Sequence, residues 1–308
     1  MYIGIDIGGS HIKGIVTDST GKELAFQEIV TPATAKDLEN DIYKLVEALT
    51  TTASISKIDI KAMGIGSPGI IDKNKGVIVQ CANLPFIEKY PIVKKFEKKM
   101  GIKTVLEKDS TVALIGGWWK GHGSKFSNWV LVTIGTGIGG GIIIDDKIYS
   151  GANGNAMEIG HMIIDCKGRT CTCGNKGCWE EYASSRALIR YAHELYKNEK
   201  KSILADDIKN NSLTAKAVYS ALLKDDQLAK SAFKEFIYYI SIGIQNLITI
   251  FNPEAISLGG GLSESQNILI PEINAYISAC TLQKVKILPL KAPKVIPSLG
   301  AARVAMDA

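Results

Sequence analysis

The sequence predicts an α/β protein of two domains, built from a βββαβα unit that occurs twice. Strand and helix signals alternate through the first half of the 308-residue chain. A strand–glycine turn–strand pattern occurs near residue 8 and again near residue 137. With 46% hydrophobic residues, a chain of this length can bury a full core.

The first repeat opens with three strands separated by glycine-rich or Ser-Thr-Gly turns, at 2–6, 11–17 and 24–30. Apolar residues then recur on one face of a predicted helix: Leu38, Ile42, Leu45, Val46 and Leu49. A strand at 62–65 is predicted to end in the turn 66–69. A second helix at 92–100 leads into a strand at 104–107.

The second repeat begins at Trp129. A strand at 130–134 is followed by a predicted glycine turn at 135–141 and a return strand that reaches residue 145. The stretch from about 180 to 250 is predicted to be helical, 256–258 to be a short buried strand, and 300–306 to be a closing helix. We predict domain boundaries at 1–116, completed by 297–308, and at 117–296.

Composition excludes several classes of protein. The net charge of +5 is scattered along the chain, and its lysine clusters fit a solvated helix face better than a nucleic-acid groove. The chain starts in a strand pattern without a basic leader, and its longest apolar runs are too short to span a bilayer. We therefore expect a soluble cytoplasmic protein that binds neither nucleic acid nor membrane.

Three glycine loops could bind phosphate, because glycine lets backbone N–H groups approach a ligand closely. These loops are 8–10, 135–141 and 259–261. Each alone could be an ordinary tight hairpin. Asp6 lies two residues before the first loop, where a carboxylate beside phosphate suggests an intervening Mg²⁺, although a turn or cap residue is the simpler interpretation. No loop continues as a Walker A motif, and His11 breaks the dinucleotide pattern, so the duplicated hairpins favour the actin and hexokinase architecture.

Four of the six cysteines lie within thirteen residues, and in a reducing compartment such clustering indicates metal binding. Cys171, Cys173 and Cys178 form a C-x-C-x₄-C knuckle that contains two glycines. With one more ligand they fit a closed tetrahedral zinc site. The spacing leaves His161 and Cys166 as competing candidates for that fourth position.

Asp109 follows the predicted strand 104–107 and precedes the apolar run 112–115. A carboxylate on such a rigid element can accept a proton from a substrate hydroxyl. An N-cap aspartate would occupy the same place, and the residues alone do not separate the two roles.

Taken together, the motifs resemble the ROK family (repressors, open reading frames, kinases). The resemblance runs from residue 3 to about 305 and lies in the segments 6–10, 135–140, 151–154, 158–161, 171–180 and 258–261. It implies an actin-like (ribonuclease H-like) duplicated βββαβα fold of two domains with a central cleft for ATP and sugar. It also implies an ATP-dependent sugar kinase.

The resemblance assigns roles position by position. Asp109 would be the catalytic base, and His161 the fourth ligand of a structural zinc ion beside Cys171, Cys173 and Cys178. Asp6 would hold Mg²⁺ through the nucleotide. The expected sugar-side residues are Asn83, Lys108, Asp109, Glu158, His161 and Glu180, and the expected nucleotide-side residues are Asp6, Gly8, Gly9, Ser10, Thr136, Gly137, Gly260 and Gly261.

The sequence departs from the family pattern in three places, of which Ser10 keeps the hydroxyl and should matter little, whereas Lys108 bears on the substrate. Lys108-Asp109-Ser110-Thr111 stands where Asn-Asp-x-Asn is usual, Met157 replaces a glycine, and Ser10 replaces a threonine. Allose kinases of the family resemble this chain in the basic residue at the Lys108 position. We therefore expect phosphorylation of the 6-hydroxyl of an aldohexose, glucose or an epimer such as allose.

Alternatives within the family are an N-acetylmannosamine or N-acetylglucosamine kinase and a fructokinase. A different class is a sugar-sensing regulator that lacks its DNA-binding domain, since the first motif begins at Asp6 and leaves no room for a helix-turn-helix ahead of it. We also expect a homodimer or a higher homo-oligomer.

Overall fold

A computed structural model describes residues 1–81, 83–152, 154, 156–198, 201–261, 265–280 and 283–308. Contacts between Cα atoms divide the chain into two compact units. The first unit comprises Met1–Lys125 and Lys291–Ala308, and the second comprises Phe126–Leu290. Each is described by itself below.

The first unit is built on a five-stranded sheet in the order β3-β2-β1-β4-β7. Its strands, with the separate β5–β6 hairpin, are β1 Tyr2–Ile7, β2 His11–Thr17, β3 Glu23–Val30, β4 Ala62–Ser67, β5 Ile70–Asp72, β6 Val77–Gln80 and β7 Lys103–Lys108. The first three strands run antiparallel, and β4 and β7 join β1 in parallel. The helices are α1 Ala35–Thr52, α2 Ile92–Met100, α3 Asp109–Lys120 and the closing helix α10 Ile296–Met306.

The second unit repeats this order as β10-β9-β8-β11-β12. Its strands are β8 Trp129–Ile134, β9 Ile138–Ile144, β10 Lys147–Ile148, β11 Ala255–Gly259 and β12 Lys286–Pro289. The strands β8 to β10 are again antiparallel, and β11 and β12 are again parallel additions. The helices are α4 Glu180–Ala183, α5 Ser185–Tyr196, α6 Ala205–Lys209, α7 Ala215–Leu222, α8 Gln227–Phe251 and α9 Gln266–Cys280. Two copies of this topology make up the actin-like fold that the sequence predicts.

Local sequence explains where the elements lie. The apolar face of α1 is buried, as its helical spacing predicts, and the helix starts where the Thr34 side chain accepts a hydrogen bond from the Asp37 N–H. Alternate apolar residues Ile3, Ile5 and Ile7 of β1 are fully buried in the core of the first unit. Gly300 brings α10 against α3, since a Cβ there would lie 1.7 Å from the Val112 carbonyl oxygen.

Two predicted turns are wrong in extent. The predicted turn at 66–69 begins two residues later, because Gly66 and Ser67 continue β4 and pair with Glu107 and Lys108. At Gly66, a Cβ would lie 2.6 Å from the Val112 side chain, so glycine serves packing here instead of chain reversal. The predicted turn at 135–141 is confined to 135–137, because 138–141 pair with β8 as part of β9.

Within the described ranges, no helix combines the length and apolar character needed to cross a bilayer. The predicted helical stretch from 180 to 250 contains α4 to α8, with residues 199 and 200 outside the described part of the chain, and the predicted buried strand at 256–258 lies inside β11. The predicted domain limits lie within about ten residues of the limits of the two units.

Candidate active site

Asp6 is a buried carboxyl near the end of β1. It lies opposite Lys13 of β2 in the antiparallel register. Burial, and then the nearby charge of Asp109, raise the pKa of Asp6 to about 7, while Lys13 opposes the shift. The charges of Asp6 and Asp109 therefore act on each other in the first unit, and an ionised Asp6 calls for a cation beside it.

Asp109 is the first residue of α3, immediately after β7. Its Oδ1 accepts a hydrogen bond from the Ser110 N–H at 2.7 Å, and Lys108 takes the N-cap position. Lys108 is itself buried, and its N–H donates to Glu107 Oε1 at 2.8 Å. Glu107 Oε2 in turn pairs with Lys73 of the β5–β6 loop at 2.5 Å. The strand end and this ion pair fix the backbone that carries Asp109.

The turn between β1 and β2 presents Gly9 and Ser10 to solvent. The Gly8 N–H donates to the His11 carbonyl at 3.0 Å, and the Gly8 carbonyl accepts from the Thr31 hydroxyl at 2.7 Å. A Cβ at Gly9 would meet no atom within 4 Å. The turn is thus fixed at its base and open at its tip. Asn83 is also exposed, in the loop after β6.

The corresponding turn of the second unit is 135–137, between β8 and β9. Each of its three carbonyls accepts a hydrogen bond: that of Gly135 from the Ser185 N–H at 2.8 Å, that of Thr136 from Arg186 Nε at 2.8 Å, and that of Gly137 from the Gly135 N–H at 2.9 Å. The conformation of this turn is therefore held by the start of α5 and by the turn itself.

A cavity of about 290 Å³ opens beside this turn. Its lining combines small, hydroxyl-bearing, basic and aromatic residues, namely Gly135, Thr136, Ser185, Ala215, Lys216, Tyr219, Gly261 and Ser265. Gly260 does not line it but shapes the chain beside it, since its φ of +95° and a Cβ that would lie 2.3 Å from the Ile134 carbonyl both require glycine. The volume and mixed lining suit a small organic ligand.

Sequence reasoning missed Ser185, Ala215, Lys216, Tyr219 and Ser265. Three of them share one face of α7, where the sequence carries only an ordinary helical pattern. The Tyr219 hydroxyl donates to Asn267 Oδ1 of α9 at 3.1 Å. This contact joins residues far apart in the sequence, so a local motif does not predict it. Asn153, within the 151–154 motif, lies outside the described residues.

The predicted metal ligands come together in the second unit. The ligand atoms of His161, Cys171, Cys173 and Cys178 all lie within 4.8 Å of one another. Cys171 Sγ is 3.7 Å from His161 Nδ1, and Cys173 Sγ is 3.6 Å from Cys178 Sγ. Tetrahedral zinc with Zn–S bonds of about 2.3 Å places its ligand atoms roughly 3.8 Å apart, so this cluster fits zinc.

The surroundings of the cluster support the same conclusion. Burial, and then the neighbouring thiols of Cys173 and Cys171, raise the pKa of the Cys178 thiol. A divalent cation bound to these sulfur atoms would instead favour the thiolate and lower that pKa. The knuckle is closed by the Cys171 N–H, which donates to the Asn175 carbonyl at 2.8 Å. Cys166, the competing candidate, is exposed and does not belong to this group of ligand atoms.

Glu158 and Glu180 flank the cluster in different ways. Glu158 is exposed, and its carbonyl accepts from the His161 N–H at 3.0 Å. Glu180 is buried at the start of α4, where Oε1 lies 3.5 Å from Cys171 Sγ and Oε2 lies 3.4 Å from the Ile138 N–H nitrogen. The structure thus gathers His161 and Glu180 with the cysteines in one unit, and Asp6, Lys108 and Asp109 in the other.

The duplicated topology places the chain in the class of actin-like α/β proteins, and comparison with known proteins identifies its family. The profile of the ROK family matches residues 2–306. The chain belongs to the ROK family.

Three relatives show the range of this family. A glucokinase of Halalkalibacterium halodurans is 34% identical over 92% of this chain and 87% of its own length. A xylose repressor of Bacillus spizizenii is 30% identical over 99% of this chain and 77% of its own length. The crystal structure of a ROK glucokinase from Streptomyces griseus with glucose and AMPPNP has a TM-score of 0.88 and 30% identity, and covers 100% of this chain and 99% of that one.

Proposed function

We propose that this chain is an ATP-dependent hexose kinase that phosphorylates the 6-hydroxyl of an aldohexose, with Asp109 as the general base. The observation that carries the proposal is the full-length relationship to glucokinases in a chain that places a carboxylate, Asp109, where β7 passes into α3. ATP is the phosphoryl donor.

Asp109 performs the proton transfer. A sugar hydroxyl is a weak nucleophile at neutral pH, and a carboxylate within hydrogen-bond reach accepts its proton while the new O–P bond forms. The bond from the γ-phosphorus to the bridging oxygen breaks at the same time, and ADP leaves with that oxygen. The Ser110 N–H orients one carboxylate oxygen, and the other is the acceptor for the proton.

The nucleotide occupies the cavity beside the 135–137 turn. Thr136 and Gly261 line this cavity. In this proposal Thr136 and Gly137 contact the phosphates, and Gly260 and Gly261 lie beside the α-phosphate and nucleoside. Gly8, Gly9 and Ser10 contribute the other phosphate turn. Asp6 would hold Mg²⁺ through the nucleotide, and the bound cation would neutralise charge on the phosphates.

The sugar is held by hydrogen bonds to its ring hydroxyls from Asn83, Lys108, Glu158, His161 and Glu180. His161 Nδ1 faces the cysteine cluster, which leaves Nε2 as the ring nitrogen available to the sugar. A zinc ion on His161, Cys171, Cys173 and Cys178 would fix that imidazole orientation, which is a structural contribution. Elemental analysis of freshly purified protein should find about one zinc per chain, and its absence would remove this part of the proposal.

The buried Lys108 favours an epimer such as allose over glucose. A lysine ammonium only donates hydrogen bonds, whereas an asparagine amide both donates and accepts, so the two residues match different hydroxyl arrangements. A site built around one hydroxyl penalises its mismatch heavily, because buried polar groups lose their partners.

One assay separates the substrate alternatives. ADP release should be measured with glucose, allose, mannose, fructose, N-acetylmannosamine and N-acetylglucosamine. We expect the highest kcat/KM with an aldohexose epimer, and a shift toward glucose in the Lys108→Asn/Thr111→Asn double variant. A fructose or N-acetylhexosamine preference would replace the substrate assignment, and an unchanged sugar ratio in the double variant would remove Lys108 as the selector.

The kinship with xylose repressors makes a sugar-sensing regulator the second candidate. This alternative predicts sugar binding without phosphorylation, so sugar-dependent ADP release distinguishes the two. A kinase should bind DNA only weakly and with steep salt dependence. A cytoplasmic location and a homodimeric or larger assembly stay sequence-based predictions, and light scattering measures the latter.

A further inference from the structure

The segment 178–186 connects the metal cluster to the phosphate turn of the second unit. The Glu180 side chain is only 10% exposed and lies against both. Its Oε1 is 3.5 Å from Cys171 Sγ, and its Oε2 is 3.4 Å from the Ile138 nitrogen, one residue after the turn. A Cβ at Gly137 would lie 2.5 Å from the same Oε2. One buried carboxylate therefore touches both sites.

Arg186 makes the second connection. Its Nε donates to the Thr136 carbonyl at 2.8 Å, and its Nη2 is 3.4 Å from Glu180 Oε1. The preceding Ser185 N–H donates to the Gly135 carbonyl at 2.8 Å. The first two residues of α5 thus fix two of the three carbonyls of the turn, and the Arg186 guanidinium joins the turn to Glu180.

The charges of the cluster, Glu180 and Arg186 give these contacts an electrostatic role. Zn²⁺ with three thiolates and a neutral imidazole carries a net charge of −1, and the Glu180 carboxylate beside it adds another negative charge. The Arg186 guanidinium offsets that charge. It is also a planar donor that can hold a carboxylate and a carbonyl at once, which a lysine ammonium does with less fixed geometry.

We propose that Arg186 is a positioning residue that couples the zinc cluster to the phosphate turn, so that zinc and nucleotide each strengthen the binding of the other. The inference rests on the proposed function, which places nucleotide at this turn and zinc at this cluster. A nucleotide that orders the turn also orders Glu180, because Arg186 is bound to both. Zinc orders Cys171 and the segment after Cys178, and through Glu180 and Arg186 it orders the turn. Because binding linkage is reciprocal, the two effects must be equal.

The test measures zinc affinity by competition with a chelator, at saturating Mg²⁺, with and without AMPPNP. In the wild-type holoenzyme we expect AMPPNP to tighten zinc binding by about fivefold or more, the lower end of typical coupling factors. Arg186→Gln should reduce this factor to near one, and Arg186→Lys should retain part of it.

Arg190→Gln is the matched control. Arg190 lies on the same helix and pairs with Glu181 at 3.1 Å, without a hydrogen bond to the turn among the described contacts. It should keep the wild-type coupling factor. Far-UV circular dichroism and zinc content, measured on each variant, show that it is folded and metal-loaded.

The outcomes separate the two levels of the proposal. Wild-type protein that binds no AMPPNP overturns the proposed function and this inference together, and protein that binds AMPPNP but no zinc overturns the zinc assignment and this inference while the kinase proposal stands. Wild-type protein that binds both without mutual effect overturns the coupling alone. Full coupling in Arg186→Gln, or its loss in Arg190→Gln as well, overturns the assignment to Arg186.

Discussion

The two units share a strand order but use the same positions of the sheet for different chemistry. In the first unit, Asp6 lies near the end of β1 and Asp109 immediately follows β7, and the charge of Asp109 helps to raise the pKa of Asp6. In the second unit, the equivalent β8 ends in the 135–137 turn, which lines a cavity. One topology therefore presents carboxylates in one copy and a ligand pocket in the other.

The connections explain this divergence. In the first unit α1 and a 3₁₀ helix at Lys57–Asp59 lie between β3 and β4, whereas in the second unit the Cys₃His cluster and α4 to α8 lie between β10 and β11. That longer connection supplies Ser185, Lys216 and Tyr219 to the cavity, and Glu180 and Arg186 to the turn. The sheet is the common scaffold, and the inserted segment carries the specialised site.

The largest expected effect on stability concerns a feature that both units share, a glycine of positive φ shortly after a parallel strand. Gly69 follows β4 with a φ of +93°, and Gly260 follows β11 with a φ of +95°. A Cβ would lie 2.2 Å from the Gln80 carbonyl oxygen in one case and 2.3 Å from that of Ile134 in the other. Gly69→Ala and Gly260→Ala should each lower the free energy of unfolding by about 3 kcal/mol or more, measured by urea denaturation.

The matched controls are Gly9→Ala and Gly261→Ala. A Cβ at either position would meet no atom within 4 Å, so both variants should stay within about 1 kcal/mol of the wild type. Wild-type stability in Gly260→Ala would show that the turn after β11 is not constrained as described.

The next effect concerns the buried carboxyl of the first unit. The folded-state pKa of Asp6 is raised, so ionisation destabilises the fold: the penalty is absent below about pH 4, grows up to about pH 7 and is constant above. Asp6→Asn should stabilise the magnesium-free protein by up to about 4 kcal/mol at pH 8, and by about 2–3 kcal/mol less at pH 5. Urea denaturation at the two pH values measures this difference.

Asp18 is the control of opposite sign. It is partly buried, and hydrogen bonds, first from the Thr20 hydroxyl and then from the Lys22 N–H, lower its pKa. Asp18→Asn should therefore lose stability near neutral pH and lose less as the pH falls toward the folded pKa. A gain for Asp6→Asn that is equal at pH 5 and pH 8 would contradict the raised pKa of Asp6.

The smallest expected effect is a difference in stability between two variants of Met157 in the second unit. Met157 has a φ of +64°, in the region that glycine adopts freely, while its side chain packs against the core. Met157→Ala and Met157→Gly remove the same packing, but only glycine relieves the backbone. The glycine variant should be the more stable of the two by about 1 kcal/mol, the reverse of their usual order. A more stable alanine variant would contradict the positive φ.

Local patterns predicted much of this molecule. Alternating and helical spacings located β1 to β4 and α1, and the C-x-C-x₄-C knuckle located three cysteines of the Cys₃His cluster, because each signal lies within a short segment. The predicted position of the turn at 66–69 is wrong because a glycine can also lie within a strand where a Cβ would clash with a packed side chain, as Gly66 does beside Val112. Lys216, Tyr219 and Arg186 were missed because their roles depend on tertiary contacts between α5, α7 and the 135–137 turn.

One pair of measurements on Asp109→Asn tests most directly whether Asp109 of the first unit takes up the proton without contributing to nucleotide binding. The amide keeps the shape of the carboxylate but cannot take up the proton, so kcat with the preferred hexose should fall by about 10²- to 10⁴-fold. AMPPNP affinity, which we attribute to the two phosphate turns and the cavity beside 135–137 and not to Asp109, should stay within about twofold of the wild type. Retention of more than about a tenth of kcat, or loss of nucleotide affinity in parallel with kcat, would contradict this account.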